Sequence, residues 1–295
     1  MKRIASFAAL LPSLIEAWCM RIAFILANMP GYFRSSQVAH DIEYGPAALE
    51  KLDIYSPREA DTSRDVIVFF YGGRWKVGAK ADYRFVGETF AKRGFVTVIP
   101  DYQKFPEVKF PVFVEDGARA LAWVHDNISK FGGNPARIHV AGHSAGAHIG
   151  ALLATDAHYL KAFGKDVSSV IHDFTGLAGP YSFTPDEPDL EAIFAPANNY
   201  PLMQATTFID GTQPQMLLLW GADDKDVHRS NLDKMIRAIH DKGGRVTTKI
   251  YPKTDHTGIV AGLTWMNPDH VSVLQDMTDY FIHGNQEQRP QAEVE

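Results

Sequence analysis

The 295-residue sequence has a single cysteine, Cys19. No disulfide can form within the chain, so the fold must rest on packing alone. That scarcity favours a reducing, cytoplasmic setting, with membrane association or export as the alternatives. No basic block interleaved with aromatics is present and the formal net charge is −6, which argues against nucleic acid as a partner. There is no fixed-period repeat and no low-complexity run, so a solenoid or propeller is excluded. The pattern G-x-x-x-x-G-K-[ST] is missing, as is H-E-x-x-H, so neither a phosphate cradle nor a zinc-protease pair is expected. No cofactor and no metal are expected. No clean apolar stretch reaches the about 20 residues that a membrane-spanning helix needs.

The N-terminus comes nearest to such a stretch. Lys2 and Arg3 precede an apolar run from Ile4 to Ile15, which Glu16 and Arg21 interrupt before Ile22 to Ala27 resumes it. Trp18 directly before Cys19 is a poor signal-cleavage context. Residues 1–34 are read as an apolar helical segment packed on the body or over the active site. A membrane-surface helix and a processed signal are the other readings.

Beyond it, a regular alternation sets in. Gln37 to Tyr55 reads as a hairpin about Gly45-Pro46. Strand-like runs at Val66–Tyr71, Phe95–Ile99, Arg137–Ala141, Val170–Leu177, Met216–Trp220 and Thr247–Tyr251 then alternate with helical patterns. The helices are expected over Ala81–Lys92, Val112–Phe131, Ala145–Ala157, Val227–Lys242 and Val271–Ile282. Strands alternating with helices imply a mostly parallel sheet covered on both faces, an α/β fold. Residues 186–212 hold Pro188, Pro196 and Pro201 and break the rhythm; they read as a small cap over the active site rather than a separate domain. The main domain is set at 35–284 and a polar tail at 285–295. Ligands of such sheets bind beyond the carboxyl ends of the strands, so the chemistry is sought just after each strand.

After the Arg137–Ala141 strand comes Gly142-His143-Ser144-Ala145-Gly146. This is G-x-S-x-G between a strand and a helix, the context in which it forms a nucleophile elbow. Ser144 would project from the turn, with the following helix dipole favouring negative charge there. A serine hydroxyl needs a base. Of the histidines in the final third, only His256 directly follows a strand; His228 follows an acid cluster, His240 falls in a helix, and His270 and His283 lie in or beside the last helix. Between elbow and base stand Asp223, Asp224 and Asp226, and one carboxylate should orient the imidazole. In folds with this elbow the oxyanion donors are the N–H after the nucleophile, here Ala145, and N–H groups of a glycine loop after an earlier strand, here Gly72 and Gly73.

These pieces resemble the carboxylesterases of the α/β-hydrolase superfamily, near the hormone-sensitive-lipase-like and kynurenine-formamidase-like groups. The matching segments are YGGRWKVG, Pro100-Asp101-Tyr102, GGNPARIHVAGHSAGAH, LAGPYSF, LLLWGADDKDV and YPKTDHTGIV, running from about Gln37 to His283. The resemblance implies an α/β-hydrolase fold with a small cap. It implies serine-dependent hydrolysis, through an acyl-enzyme, of a small-molecule ester with a small to medium acyl group. It puts the acid on Asp224 of G-x-x-D, with Asp223 the runner-up and Asp226 capping the next helix. Amide hydrolysis of the arylformamidase type is the alternative, and a non-catalytic binding module on the same fold a second one. Two departures stand out. Tyr71 replaces the usual histidine before the glycines, and Gln103 stands where relatives often carry arginine, leaving that loop short of an ion pair. Tyr71, Trp75 and His143 are candidate substrate contacts. Arg74 either meets an anionic substrate or points to solvent, and for Trp265 packing is expected.

Overall fold

The computed structural model describes residues 21–29, 36–58 and 63–284. Residues 21–28 are helical (α1). The chain then runs β1 (Ser36–Glu43), β2 (Lys51–Pro57), β3 (Arg64–Phe70), α2 (Arg84–Ala91), β4 (Val96–Pro100), α3 (Val112–Asn127), β5 (Gly133–His143) and α4 (Ala145–Thr155). It continues through α5 (His158–Lys161), α6 (Val167–Val170), β6 (Asp173–Leu177), α7 (Pro188–Phe194), β7 (Gln215–Gly221), α8 (Ser230–Asp241), β8 (Val246–Tyr251), α9 (Gly258–Ala261) and α10 (Val273–His283).

The strands form one sheet in the order β1-β2-β4-β3-β5-β6-β7-β8. β1, β2 and β4 pair antiparallel, and from β4 onward every neighbouring pair is parallel. β4, β6 and the apolar stretch of β3 are buried end to end. This is why they read as continuous apolar runs: a strand covered on both faces has no polar side to alternate with. Each such side chain taken from water is worth roughly 1.5–3 kcal/mol. β8, at the edge, alternates less cleanly and exposes Lys249, and a charged edge resists pairing with another chain.

Helices cover both faces. On one, Phe281 of α10 meets Phe90 of α2 and Phe95 with ring centroids 6.0 and 5.9 Å apart. On the other, α3 and α4 approach closely at Gly117, where an added Cβ would press on Ile149 and Leu153 at 3.0 Å.

Several boundaries differ from the sequence reading. The helix expected to Phe131 ends at Asn127; a 3-10 turn, Ile128–Phe131, follows and Gly132 stops it at φ 82°. β6 begins at Asp173 because Val167–Val170 coils into α6. α8 starts at Ser230, three residues beyond the expected start. Residues 186–212 are not a bare loop: Pro188 sits in the first turn of α7, where its missing N–H costs no helical hydrogen bond. Residues 1–20 and the tail 285–295 lie outside the described residues. What is described of the N-terminal segment docks on the body. Asn28 donates to Asp82 O at 2.9 Å and accepts from Phe85 N–H at 2.8 Å. Phe24 meets Tyr83 with centroids 5.3 Å apart.

Candidate active site

The carboxyl ends of β3, β5, β7 and β8 gather Gly72, Ser144, Asp224 and His256. Ser144 sits between β5 and α4 with φ 54° and ψ −122°, a conformation an L-residue holds only when its surroundings enforce it. The turn is too tight for side chains on either flank. A Cβ at Gly146 would run into the Phe70 carbonyl, and one at Gly142 into the Gly146 backbone.

Ser144 Oγ lies 2.8 Å from His256 Nε2, and His256 Nδ1 lies 2.8 Å from Asp224 Oδ2. Asp224 can only accept, so Nδ1 carries the proton and Nε2 is left to accept from the Ser144 hydroxyl. The second oxygen of Asp224 accepts from the N–H groups of Asp226 and Val227 at 3.0 Å each. The Asp224 carboxylate is wholly buried and His256 nearly so, which keeps water from competing for these bonds. Asp223 is exposed. Asp226 does not cap α8, which begins at Ser230; it contributes only its N–H to Asp224. Asp224, Asp226 and His256 offer ligand atoms within 4.8 Å of one another, and of these Asp224 and His256 already bond each other.

The glycine loop abuts the nucleophile. A Cβ on Gly72 would lie 3.1 Å from Ser144 Cβ, and Gly73 has φ 138°. The phenol of Tyr83 sits against the Gly72 N–H, and burial raises its pKa above the usual phenol value. Among the described residues, no backbone acceptor takes the Gly73 N–H, nor does one outside the helix take that of Ala145. Both belong to the set of oxyanion donors expected from the sequence.

Tyr71, a candidate substrate contact, faces the core. It is fully buried, donates to Asp101 Oδ1 at 2.6 Å and stacks on Tyr102 at 4.7 Å. Hydrogen bonds support the loop that Gln103 was expected to leave short of an ion pair. Lys104 Nζ reaches Tyr71 Oη and Tyr102 O at 2.8 Å, and Gln103 donates its N–H and its amide to Asp116 at 2.7 and 3.2 Å. Burial pushes the Asp116 carboxyl up to about 6. Trp75 is buried in an aromatic cluster, 5.1 Å from the His148 ring and 4.9 Å from Phe194.

His143 was missed in its actual contact. Its Nε2 donates to the backbone carbonyl of His256 at 2.9 Å, so the residue before the nucleophile holds the loop that carries the base. Burial, with His256 beside it, pushes its pKa down to about 3, leaving it neutral. No sequence signal marks this bond, which spans 113 positions. His148 is likewise buried, donating to Met203 O at 2.7 Å. Trp265 is exposed, contrary to expectation, and donates to Leu26 O at 3.1 Å.

Comparison with known proteins agrees with this frame. The family described as BD-FAE matches residues 52–178. A probable isoprenylcysteine alpha-carbonyl methylesterase of Arabidopsis thaliana is 35% identical over 56% of the chain, and that alignment covers only 42% of the plant protein. Kynurenine formamidase of Danio rerio is 25% identical over 77% of the chain and 78% of its own length. The structure of an inhibited esterase B from Lactobacillus rhamnosis superposes with a TM-score of 0.76 at 17% identity, covering 93% of this chain and 96% of that one. A sheet with this strand order, an elbow serine after β5, and an acid and a histidine after β7 and β8 in that order give the chain the α/β-hydrolase fold, and its sequence is similar to carboxylesterase-like members of that superfamily.

Proposed function

We propose that the protein is a serine carboxylesterase in which Ser144, His256 and Asp224 act as nucleophile, base and orienting acid. The observation that carries this reading is the unbroken hydrogen-bonded line from Ser144 through His256 to Asp224, 2.8 Å at each step. Ser144 Oγ attacks the acyl carbonyl as its proton passes to His256 Nε2. Negative charge on the carbonyl oxygen is met by the N–H groups of Gly73 and Ala145, and a preorganised donor of this kind is worth roughly 3 kcal/mol in the transition state. The tetrahedral intermediate collapses, the C–O bond to the alcohol breaks, and His256 returns its proton to the departing oxygen. Water then attacks the acyl-enzyme with His256 again as base, releasing the acid and restoring Ser144. Asp224 steadies the imidazolium throughout.

The substrate class we propose is a small to medium acyl ester. Arylformamide hydrolysis is a second reading, favoured by the zebrafish relative's cover of most of the chain. The same atoms serve both, since only the leaving group differs. Ser144→Ala should lower nitrophenyl-ester hydrolysis by about 10⁴-fold or more while leaving the unfolding transition in place; retained activity would overturn the assignment. N-formylkynurenine turned over faster than every ester of an acyl-length panel would select the formamidase reading.

We also propose that residues 186–212 serve as a cap, and that α1 with Trp265 meets a lipid surface. Ile22, Ile25, Leu26 and Met29 are exposed at spacings of three and four, one helical stripe. They lie opposite the stripe of Phe24, Ala27 and Asn28 that docks on the body. An outward apolar stripe with an amphipathic tryptophan beside it suits a bilayer interface.

A further inference from the structure

The oxyanion loop is held from an unexpected side. Gly73, Arg74 and Trp75 have consecutive φ values of 138, 54 and 56°, and two of the three are non-glycine residues that rarely adopt the left-handed region. Such a backbone persists only when something outside it over-determines it. Here the support comes from the start and end of α7, about 115 positions away. Arg74 Nε and Nη2 fork onto the two carboxylate oxygens of Asp189 at 3.0 Å each, and Nη2 also meets Glu187 at 2.6 Å. Lys76 Nζ adds a third cationic contact to Asp189 at 3.0 Å. Trp75 is seated on Phe194 at the other end of the same helix. Arg74 is therefore held by two carboxylates rather than pointing free into solvent.

We propose that Asp189 is a positioning residue for hydrolysis, with the cap setting the oxyanion loop through the Asp189–Arg74–Lys76 contact so that the Gly73 N–H stays aimed at the reacting oxygen. This rests on the reading of Ser144 and the Gly73 N–H as catalytic. A planar fork on a carboxylate fixes direction as well as distance, which a loop with three left-handed residues needs. Most exposed ion pairs contribute little to stability, so breaking this one should show in turnover more than in folding. A donor displaced by a fraction of an ångström loses part of a contribution that is worth 10²–10³-fold when the donor is removed outright.

The test uses the full chain and a neutral nitrophenyl ester, so that substrate charge plays no part. Asp189→Asn should lower kcat by about tenfold with KM changed by less than about twofold, and Asp189→Glu should recover most of it. The melting temperature should move by no more than about 2 °C. Turnover of the parent should fall as salt is raised, because the contact is half-exposed, while Asp189→Asn should be flat. Arg74→Gln, made from the loop side, should reproduce the loss. Arg229→Ala, which breaks another half-exposed pair, with Asp233, should leave kcat unchanged. Full kcat in either Asp189→Asn or Arg74→Gln overturns the proposal, as does a loss matched by the folded fraction or by Arg229→Ala. A parent protein inert to both the ester and a fluorophosphonate label would instead sink the catalytic reading on which it rests.

Discussion

Asp224 is the most constrained side chain of the site. One carboxylate oxygen takes two backbone N–H groups and the other takes the His256 imidazole. Its neighbour Asp223 stands in solvent with only its backbone engaged, donating to Thr254 O at 3.0 Å. The two replacements should therefore part widely. Asp224→Asn keeps the shape but can donate where the carboxylate only accepts, disturbing the His256 tautomer, and a drop in kcat of about 10³–10⁴-fold is expected. Asp223→Asn should change kcat less than about threefold, since nothing in the site touches its side chain. Steady-state kinetics of both variants on one ester decide this; a larger loss at Asp223 would move the acid one residue along. Sequence alone leaves the two side by side because adjacent residues differ only in direction, and direction is settled by the turn after β7.

At the scale of elements, the ends of the sheet opposite the site carry their own polar knot. His139 on β5 is wholly buried, with Nδ1 2.7 Å from Asp173 on β6 and Nε2 3.6 Å from Asp65 on β3. Arg137 pairs with the same Asp65 at 2.8 Å. Burial opposes the charge on His139, yet Asp173 and Asp65 outweigh it and raise the imidazole to about 9. A group raised in the folded state stabilises it fully below the unfolded value near 6.5 and loses that contribution as pH climbs through about 9. Urea unfolding should thus show stability falling between pH 6.5 and 9.5 by a few kcal/mol. Asp173→Asn should be less stable at pH 6 by about 3 kcal/mol and should flatten that fall. An equally steep fall in the variant would show that another group is responsible. The histidine and both acids are visible in the sequence, but their meeting depends on the parallel register of β5 between β3 and β6, which no local pattern encodes.

On the scale of the whole molecule, two surfaces are set apart. The carboxyl ends of the strands carry the candidate site, while α1 turns an apolar stripe outward beside Trp265. Among the described residues no helix is long and apolar enough to cross a membrane, so the contact we propose lies along a surface. The chain should co-sediment with phosphatidylcholine vesicles, and Ile22→Ser/Ile25→Ser/Trp265→Ser should lower the bound fraction by about tenfold or more, each lost side chain removing roughly 1.5–3 kcal/mol of apolar burial. Equal sedimentation of the two proteins would discard the lipid reading.

What the sequence by itself determined is what periodicity and short motifs can carry. The alternation of apolar strands and amphipathic helices dictates a mostly parallel sheet because buried strands have no polar face. Gly142 to Gly146 dictates the elbow because no side chain fits its flanks, and the order of serine, acid and histidine follows from the strands they end. Only the tertiary structure decided which aspartate reaches the histidine, that Tyr71 turns inward, that His143 binds the carbonyl of His256, and that Arg74 is clamped by Asp189. Each of these joins groups that are adjacent in sequence but opposite in direction, or distant in sequence and brought together by packing. The long-range contacts form only once the sheet has set its register and its helices have closed over it.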